Sequence, residues 1–181
     1  MRFQDRTQAG KELAEKLQAY AHSSDTIVLG LPRGGVVVAY EIAKKLDLSL
    51  DALIVRKISV PFNPELAVGA LTVGGTVYLN KRLMDSMGLT VHDITSTIEL
   101  EQKEAQRREQ KYRADREPLN LKDKTVILVD DGIATGATMH AAIMASKALQ
   151  AKKIMVAAPI MSTETFKQLS ADADQVVCLY H

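Results

Sequence analysis

One cysteine, Cys178, stands among 181 residues, so the chain can close no internal disulfide. It lies in the apolar run QVVCL, where a thiol reads as a small buried hydrophobe rather than a nucleophile. Histidine is sparse: His22, His92, His140 and His181 are scattered and match no metal-ligand spacing. Neither sign of charge is in excess, because 23 Lys and Arg offset 22 Asp and Glu to leave +1. That balance excludes a global field for nucleic acid or a membrane surface, although a local anion site needs only a few residues and backbone amides. No apolar run approaches the ~18–20 residues that cross a bilayer. The first residues, MRFQDRTQAGKEL, lack the apolar stretch of a secretion signal. The expectation is a cytoplasmic protein with neither a nucleic-acid nor a membrane partner.

What is present suits a folded core. The chain is 46% hydrophobic and 25% charged, and its length fits one domain, so residues 1–181 are expected to fold together. Residues 8–20 place Leu13, Leu17 and Tyr20 on one helical face. The run DTIVLGL (25–31), a glycine-led helical stretch (34–46) and the run LDALIVRK (50–57) read as strand, helix, strand, a βαβ unit with a parallel sheet. The same alternation returns in KTVILVD (124–130), a helix over 136–150, KIMVAAP (153–159), the short helix STETFKQLS and QVVCL (175–179). Five buried strands with intervening helices predict a doubly wound parallel α/β fold. Residues 58–120 interrupt it. ISVPFNPE carries two prolines and excludes a central strand, while Gly74 and Gly75 between β-rich runs predict a hairpin. A long polar helix over 90–117 follows, with Glu99/Lys103, Glu104/Arg108 and Glu109/Arg113 at i,i+4, ended by Pro118.

Ligands of open α/β sheets bind beyond the carboxyl ends of strands. Two such ends carry unusual loops, GLPRGG (30–35) and VDDGIATGAT (129–138). In the second, a helix starting at Gly136 with Thr135 near its cap would aim the amides of Ala134, Thr135, Gly136, Ala137 and Thr138 at one spot. Its dipole adds positive character there, which suits a phosphate. Asp130 and Asp131 repel that anion and instead suit hydroxyl groups or a divalent cation beside it. The first loop offers Arg33 and the amides of Gly34 and Gly35. Lys57 adds a further cation at a strand end, with Arg56 beside it. Two anion sites, a carboxylate pair and a cationic rim fit a ribose phosphorylated at both ends.

VILVDDGIATGAT (126–138) resembles the signature loop of type I phosphoribosyltransferases, which bind 5-phosphoribosyl-1-pyrophosphate (PRPP), and LPRGG resembles their pyrophosphate loop. FQDRTQAG, GLPRGGVVVAYEIA, VRKISVPFNPELAVGA, RREQKYR and VDDGIATGATM occur in this order in a bacterial subgroup of that family, so the resemblance covers nearly the whole chain. It implies a type I phosphoribosyltransferase-like sheet with a hairpin and helix insertion that acts as a lid. It implies that Asp130 and Asp131 bind the ribose 2- and 3-hydroxyls, directly or through Mg²⁺. It implies that residues 134–138 hold the 5-phosphate, and that Arg33, Gly34, Gly35 and Lys57 hold pyrophosphate. Asp130, Asp131, Arg33 and Lys57 are the catalytic set on that likeness. A non-proline cis peptide at Pro32–Arg33 or Arg33–Gly34 and a homodimer are further implications, as is an aromatic-containing tail past the last strand, before which this sequence stops at CLYH.

The implied reaction is displacement of pyrophosphate from ribose C1 by a nitrogen acceptor. Enzymes of the family that act on 6-oxopurines carry an Asp where Ala134 stands here, which argues against hypoxanthine and guanine and leaves adenine, orotate, uracil, another amine or none. APIMST (158–163) either lines the acceptor side or is core and turn. Plainer readings stand beside the functional ones: capping acids at Asp130–Thr138, a tight turn at Arg33–Gly35, solvated strand ends at Arg56 and Lys57, and a loop charge at Glu65. RREQKYR is either a salt-bridged exposed helix or a face toward the cleft or a subunit interface, and His140 reads as packing. Two function classes remain, a Mg²⁺-dependent phosphoribosyltransferase and a non-catalytic regulator that binds PRPP or a nucleotide. The near-zero net charge gives a regulator no nucleic-acid surface, and the enzyme is the expectation.

Overall fold

A computed structural model of the chain describes residues 3–72, 74–112 and 117–181. It opens with α1 (Arg6–Lys16), whose first turn is capped by Asp5 accepting from the Gln8 amide at 2.8 Å. A short 3₁₀ turn leads to β1 (Thr26–Gly30), then α2 (Gly34–Leu46) and β2 (Ser49–Ala52). The chain then leaves this layer. It builds β3 (Val55–Val60), β4 (Asn63–Thr72), β5 (Val77–Leu79), α3 (Lys81–Ser86) and α4 (Val91–Tyr112). It returns through β6 (Thr125–Val129), α5 (Ala137–Ala148), β7 (Lys153–Ile160), α6 (Thr163–Asp172) and β8 (Gln175–Tyr180).

Strands β2-β1-β6-β7-β8 form a parallel sheet in that order. The central strands are predominantly apolar because both faces are covered. Their side chains alternate between two cores: Ile27, Leu29, Val126, Leu128, Ile154 and Val156 meet Met139 and Ile143 of α5, whereas Val28, Ile127, Val129 and Met155 meet Leu13 of α1 with Val38 and Ile42 of α2. The connections run outward from β1 to β2 on one side and from β6 to β8 on the other. The direction therefore reverses between β1 and β6, and the carboxyl ends of those two strands flank the crevice that this topology leaves for ligands.

The five-strand parallel sheet agrees with the sequence reading, but one run divides. LDALIVRK is not a single strand: β2 ends at Ala52, and β3 starts at Val55 in a separate antiparallel sheet, β3-β4-β5. Both halves mix apolar with charged residues, so composition does not mark the exit. The exclusion of a central strand at ISVPFNPE is also corrected, since β4, the middle strand of the second sheet, includes Asn63, Pro64 and Glu65, while β3 enters it as an edge strand. Pro64 is tolerated because the β3–β4 register shifts there, from Ser59↔Ala67 to Val60↔Asn63, and β5 reaches only Gly69–Leu71. A bulge beyond the end of the neighbouring strand needs no amide from that residue. The Gly74–Gly75 turn does join β4 to β5, with Gly75 at φ +83°.

The second sheet has its own core. Ile58, Val60, Val68 and Leu71 meet Met84 of α3 and Ile94 and Ala105 of α4. The amide and hydroxyl of Thr90 both donate to Asp93 at 2.7 Å, which fixes the start of α4. Glu104 pairs with Arg108 as the i,i+4 spacing predicts, and with Arg107 as well. Arg113, its pairing with Glu109 and the helix end before Pro118 lie outside the described residues. Among the described helices, none is long and apolar enough to cross a membrane.

Candidate functional site

The loops after β1 and β6 press directly on each other. The Leu31 amide donates to the Val129 carbonyl at 2.9 Å, which extends the β1–β6 ladder one residue past β1. The chain then passes through a cis peptide between Pro32 and Arg33 and starts α2 at Gly34. A Cβ built on Gly34 would stand 2.0 Å from Asp131 Oδ2. One on Gly35 would stand 2.5 Å from the Val129 carbonyl oxygen and 2.9 Å from Asp130 Cα. Neither position admits a side chain without moving the acid pair. The arginine–glycine loop and the two aspartates are therefore one structural unit, although about a hundred residues separate them in sequence.

Within the pair, the Asp131 amide donates to Asp130 Oδ1 at 2.9 Å. Burial raises the Asp130 carboxyl to about 7, and the neighbouring Asp131 side chain adds to the rise. Asp131 Oδ2 accepts a 2.7 Å hydrogen bond from Arg6 Nε, in the first turn of α1. Two adjacent carboxylates offer the hard oxygens that Mg²⁺ prefers. Among the described residues no group of three or more His, Cys, Asp or Glu side chains gathers. The donor set fits a cation that takes its remaining oxygens from ligand and water.

Past the acids, residues 132–139 with Asp130 line a small cavity of about 160 Å³. The loop is pinned from behind: the Ile133 amide donates to the Ile160 carbonyl at 2.9 Å, and Thr165 Oγ1 donates to the Ala134 carbonyl at 2.7 Å. Ala134 and Thr135 are exposed, and Thr138 is exposed at the start of the helix. The helix starts one residue later than the sequence suggested. Gly136 is itself the cap, at φ +77° with no side-chain cap bond, and α5 begins at Ala137. That left-handed cap needs glycine and keeps the side of the turn bare. Thr135 Oγ1 makes only a 3.5 Å contact to the Ala137 amide. The first turn of α5 thus borders a cavity lined mainly by small side chains, where free amides and the helix dipole suit an anion.

Lys57 comes to the same cleft by a different route. It stands half-buried on β3, 3.7 Å from Glu65 of β4, and with Pro32, Thr138 and Arg108 it lines a cavity of about 360 Å³. Its neighbour Arg56 is held by Glu101 of α4. Arg33 is exposed and lines another cavity, of about 380 Å³, with Arg107, Arg108 and Lys111 of α4. Thr138, Pro32 and Arg108 are shared between these cavities, which bring Lys57, Arg33, Asp130 and residues 134–138 side by side, while Gly34 and Gly35 lie against the acid pair.

Arg6 was missed. Its partner lies 125 residues away, so no local spacing could reveal it. It also borders a cavity of about 580 Å³ beside Asp131, lined further by Phe3, Val37, Pro159 and Ile160. Part of APIMST therefore does face a cavity next to the acids, while Met161 is buried and Ser162 caps α6 through the Thr165 amide. His140 does more than pack: its Nδ1 lies 2.8 Å from Asp172 Oδ2. Cys178 is buried, and burial pushes its thiol up, as an inert core residue requires.

The family model described as "Phosphoribosyl transferase domain" matches residues 2–179. A Mycobacterium tuberculosis protein named "Putative phosphoribosyl transferase Rv0571c" is 42% identical over 177 residues, 98% of this chain. The chain spans about 40% of the length of that relative. Among solved structures, TT1426 from Thermus thermophilus superposes with a TM-score of 0.88 at 39% identity, covering 99% of this chain and 85% of that one. A purine phosphoribosyltransferase from Pyrococcus horikoshii Ot3 shares the fold at 22% identity and a TM-score of 0.54, covering 100% of this chain and 85% of its own.

Proposed function

The chain belongs to the phosphoribosyl transferase domain family, and on that footing we propose that it binds PRPP with Mg²⁺ and transfers the phosphoribosyl group to a nitrogen acceptor, releasing pyrophosphate. The single observation that carries this reading is the contact of Gly34 with Asp131. It sets an anion-binding loop against a diol-binding carboxylate, with a second anion cradle one turn further on. A sugar phosphorylated at both ends has this order of groups; a mononucleotide or a free phosphate does not.

On this reading residues 134–138 hold the 5-phosphate, and Asp130 and Asp131 take the ribose hydroxyls or a cation bound between them. Arg33, the Gly34 and Gly35 amides and Lys57 receive the pyrophosphate. Bond breaking at C1 places positive charge on the ring and negative charge on the departing oxygens. The chain needs no nucleophile for that step. Its residues position the sugar and offer cationic donors where the negative charge grows. Mg²⁺, when bound, offsets further charge on the pyrophosphate oxygens. The β3-β4-β5 sheet and α4 act within the same domain as the cover that keeps water from the reacting centre. Ala134 brings no carboxylate to the acceptor side, so hypoxanthine and guanine are not the acceptors proposed. A purely regulatory PRPP-binding role is the second reading.

Pyrophosphate release from PRPP and Mg²⁺, assayed with a panel of nucleobases and amines, separates the two readings. Release with one acceptor class supports the transferase; binding without release for every acceptor supports the regulator. Asp131→Asn should lose at least about tenfold in Mg²⁺-PRPP affinity while keeping the fold, since a charge-assisted contact is removed. Unchanged affinity in that variant contradicts both readings.

A further inference from the structure

The end of α4 carries a cationic face for which the proposed reaction gives no role. Arg107, Arg108 and Lys111 fall at i, i+1 and i+4, so all three project to one side of the helix. Like charges at such spacing repel and weaken an isolated helix. The fold adds a fourth cation to them. Of the five described residues that line the cavity of about 380 Å³ beside α4, four are cations: Arg33, Arg107, Arg108 and Lys111. The fifth is Pro32, so the cavity begins at the cis peptide of the anion-binding loop.

The wall is held in place from the opposite side. Ala105 is buried in the second core, and Ile94, about three turns earlier on α4, is buried with it. Glu101 ties α4 to Arg56 of β3, the strand that carries Lys57. Glu104 accepts from Arg107 at 2.8 and 2.9 Å and from Arg108 at 3.2 Å, and these two guanidinium groups pull its carboxyl down to about 2. One carboxylate therefore sets two arginines side by side. Arg108 and Pro32 also line the neighbouring cavity with Lys57 and Thr138, so the cationic wall is continuous with the cleft.

We propose that Arg107, Arg108 and Lys111 form, with Arg33, a binding site for an oligophosphate anion, in which α4 supplies the wall opposite the loop after β1. This rests on the reading of that loop as a pyrophosphate site and extends it to residues outside the loop. A chain of two or more phosphates carries enough charge and enough acceptor oxygens to meet four cations, more than a single phosphate offers. Guanidinium groups suit this task because each presents paired donors to phosphate oxygens. The anion is either the pyrophosphate end of the sugar substrate or a free oligophosphate, and the two sources share this chemistry.

The test is calorimetric binding of inorganic pyrophosphate, tripolyphosphate, ribose 5-phosphate and PRPP to the full chain and to Arg107→Gln/Lys111→Gln. Both positions are exposed, and Arg107→Lys/Lys111→Arg serves as the charge-preserving control. The expected result is that the Gln variant loses about tenfold or more in pyrophosphate and tripolyphosphate affinity. Ribose 5-phosphate, which meets only the acids and the loop over 134–138, binds both alike. The Lys/Arg control stays within about threefold of the native chain. A parallel loss of PRPP affinity assigns the site to the substrate's pyrophosphate; loss for tripolyphosphate with PRPP unchanged assigns it to a free oligophosphate. Equal pyrophosphate and tripolyphosphate affinity in the native chain and the Gln variant overturns the proposal. If the native chain binds ribose 5-phosphate but neither pyrophosphate nor tripolyphosphate, the α4 site is overturned while the sugar-phosphate cradle stands. Failure to bind any of the four ligands overturns both.

Discussion

Arg6 Nε lies 2.7 Å from Asp131 Oδ2, which ties the first turn of α1 to the loop after β6. The guanidinium side chain is 58% exposed and the carboxylate 29%, so solvent screens the pair. Screened pairs of this kind contribute at most about 1 kcal/mol. Arg6→Ala should therefore lower stability by less than that in urea denaturation. A loss of about 3 kcal/mol would show that Arg6 supports the fold of the loop rather than the direction of one carboxylate.

Gly35 bears on stability far more than its size suggests. A methyl group there meets the Val129 carbonyl oxygen at 2.5 Å and Asp130 Cα at 2.9 Å, both backbone atoms. Gly35→Ala must displace backbone between the two loops, and overpacking of this kind costs about 1–3 kcal/mol. Gly74→Ala is the matched control, because a Cβ there meets nothing within 4 Å. Urea denaturation of the two variants should differ by at least about 1 kcal/mol, and the Gly35 variant alone should lose Mg²⁺-PRPP binding.

Asp130 gives the chain a pH dependence of definite sign. Its folded pKa is about 7, raised first by burial and then by the adjacent carboxyl, against an ordinary value of 3.8. Between those values the folded protein holds a proton that the unfolded chain has shed. Stability contributed by this group is thus full below pH ~4, falls as pH rises toward 7, and levels off above it. Asp130→Asn should flatten that part of the curve in thermal melts taken from pH 5 to 8. An identical slope in the variant would place the titration elsewhere.

Cys178 is 8% exposed, and burial raises its thiol. A thiol reagent at pH 7.5 should label it slowly in the native protein and stoichiometrically in denaturant. Rapid labelling of the native chain would mean that the β8 edge opens readily.

Leu128 is fully buried on β6, between β1 and β7. Leu128→Ala removes side-chain volume from the centre of the parallel sheet, where neighbours on two strands cannot collapse inward. The expected cost is about 2–5 kcal/mol in denaturant unfolding. A cost below about 1 kcal/mol would contradict the placement of Leu128 in the larger core.

Much of this architecture is legible in the sequence because the physics is local. TVILV and TIVLG are dominated by apolar residues with no alternation, and only strands covered on both faces require that. The glycines and paired acids that follow them stand out because such residues have no reason to cluster at a buried strand end unless the backbone must come close to something. The rest depends on contacts between distant segments. Nothing in LDALIVRK distinguishes β2 from β3, since both sheets want the same apolar residues. Pro64 reads as a strand breaker until the register shift beside it is known. Arg6 looks like any surface cation in an amphipathic helix, and only the folded chain brings it to Asp131. The exposed face of Arg107, Arg108 and Lys111 reads equally well as a solvated helix until Arg33 is found across the cavity.

The central claim is that a doubly phosphorylated ribose lies across the ends of β1 and β6. A crystal structure of the chain with PRPP and Mg²⁺ tests it most directly. The account predicts the 5-phosphate on the amides of residues 134–138, both ring hydroxyls against Asp130 and Asp131 or a cation they hold, and the pyrophosphate against Arg33, Gly34 and Gly35. Ligand bound elsewhere on the molecule, or oriented with its pyrophosphate in the loop after β6, would contradict it.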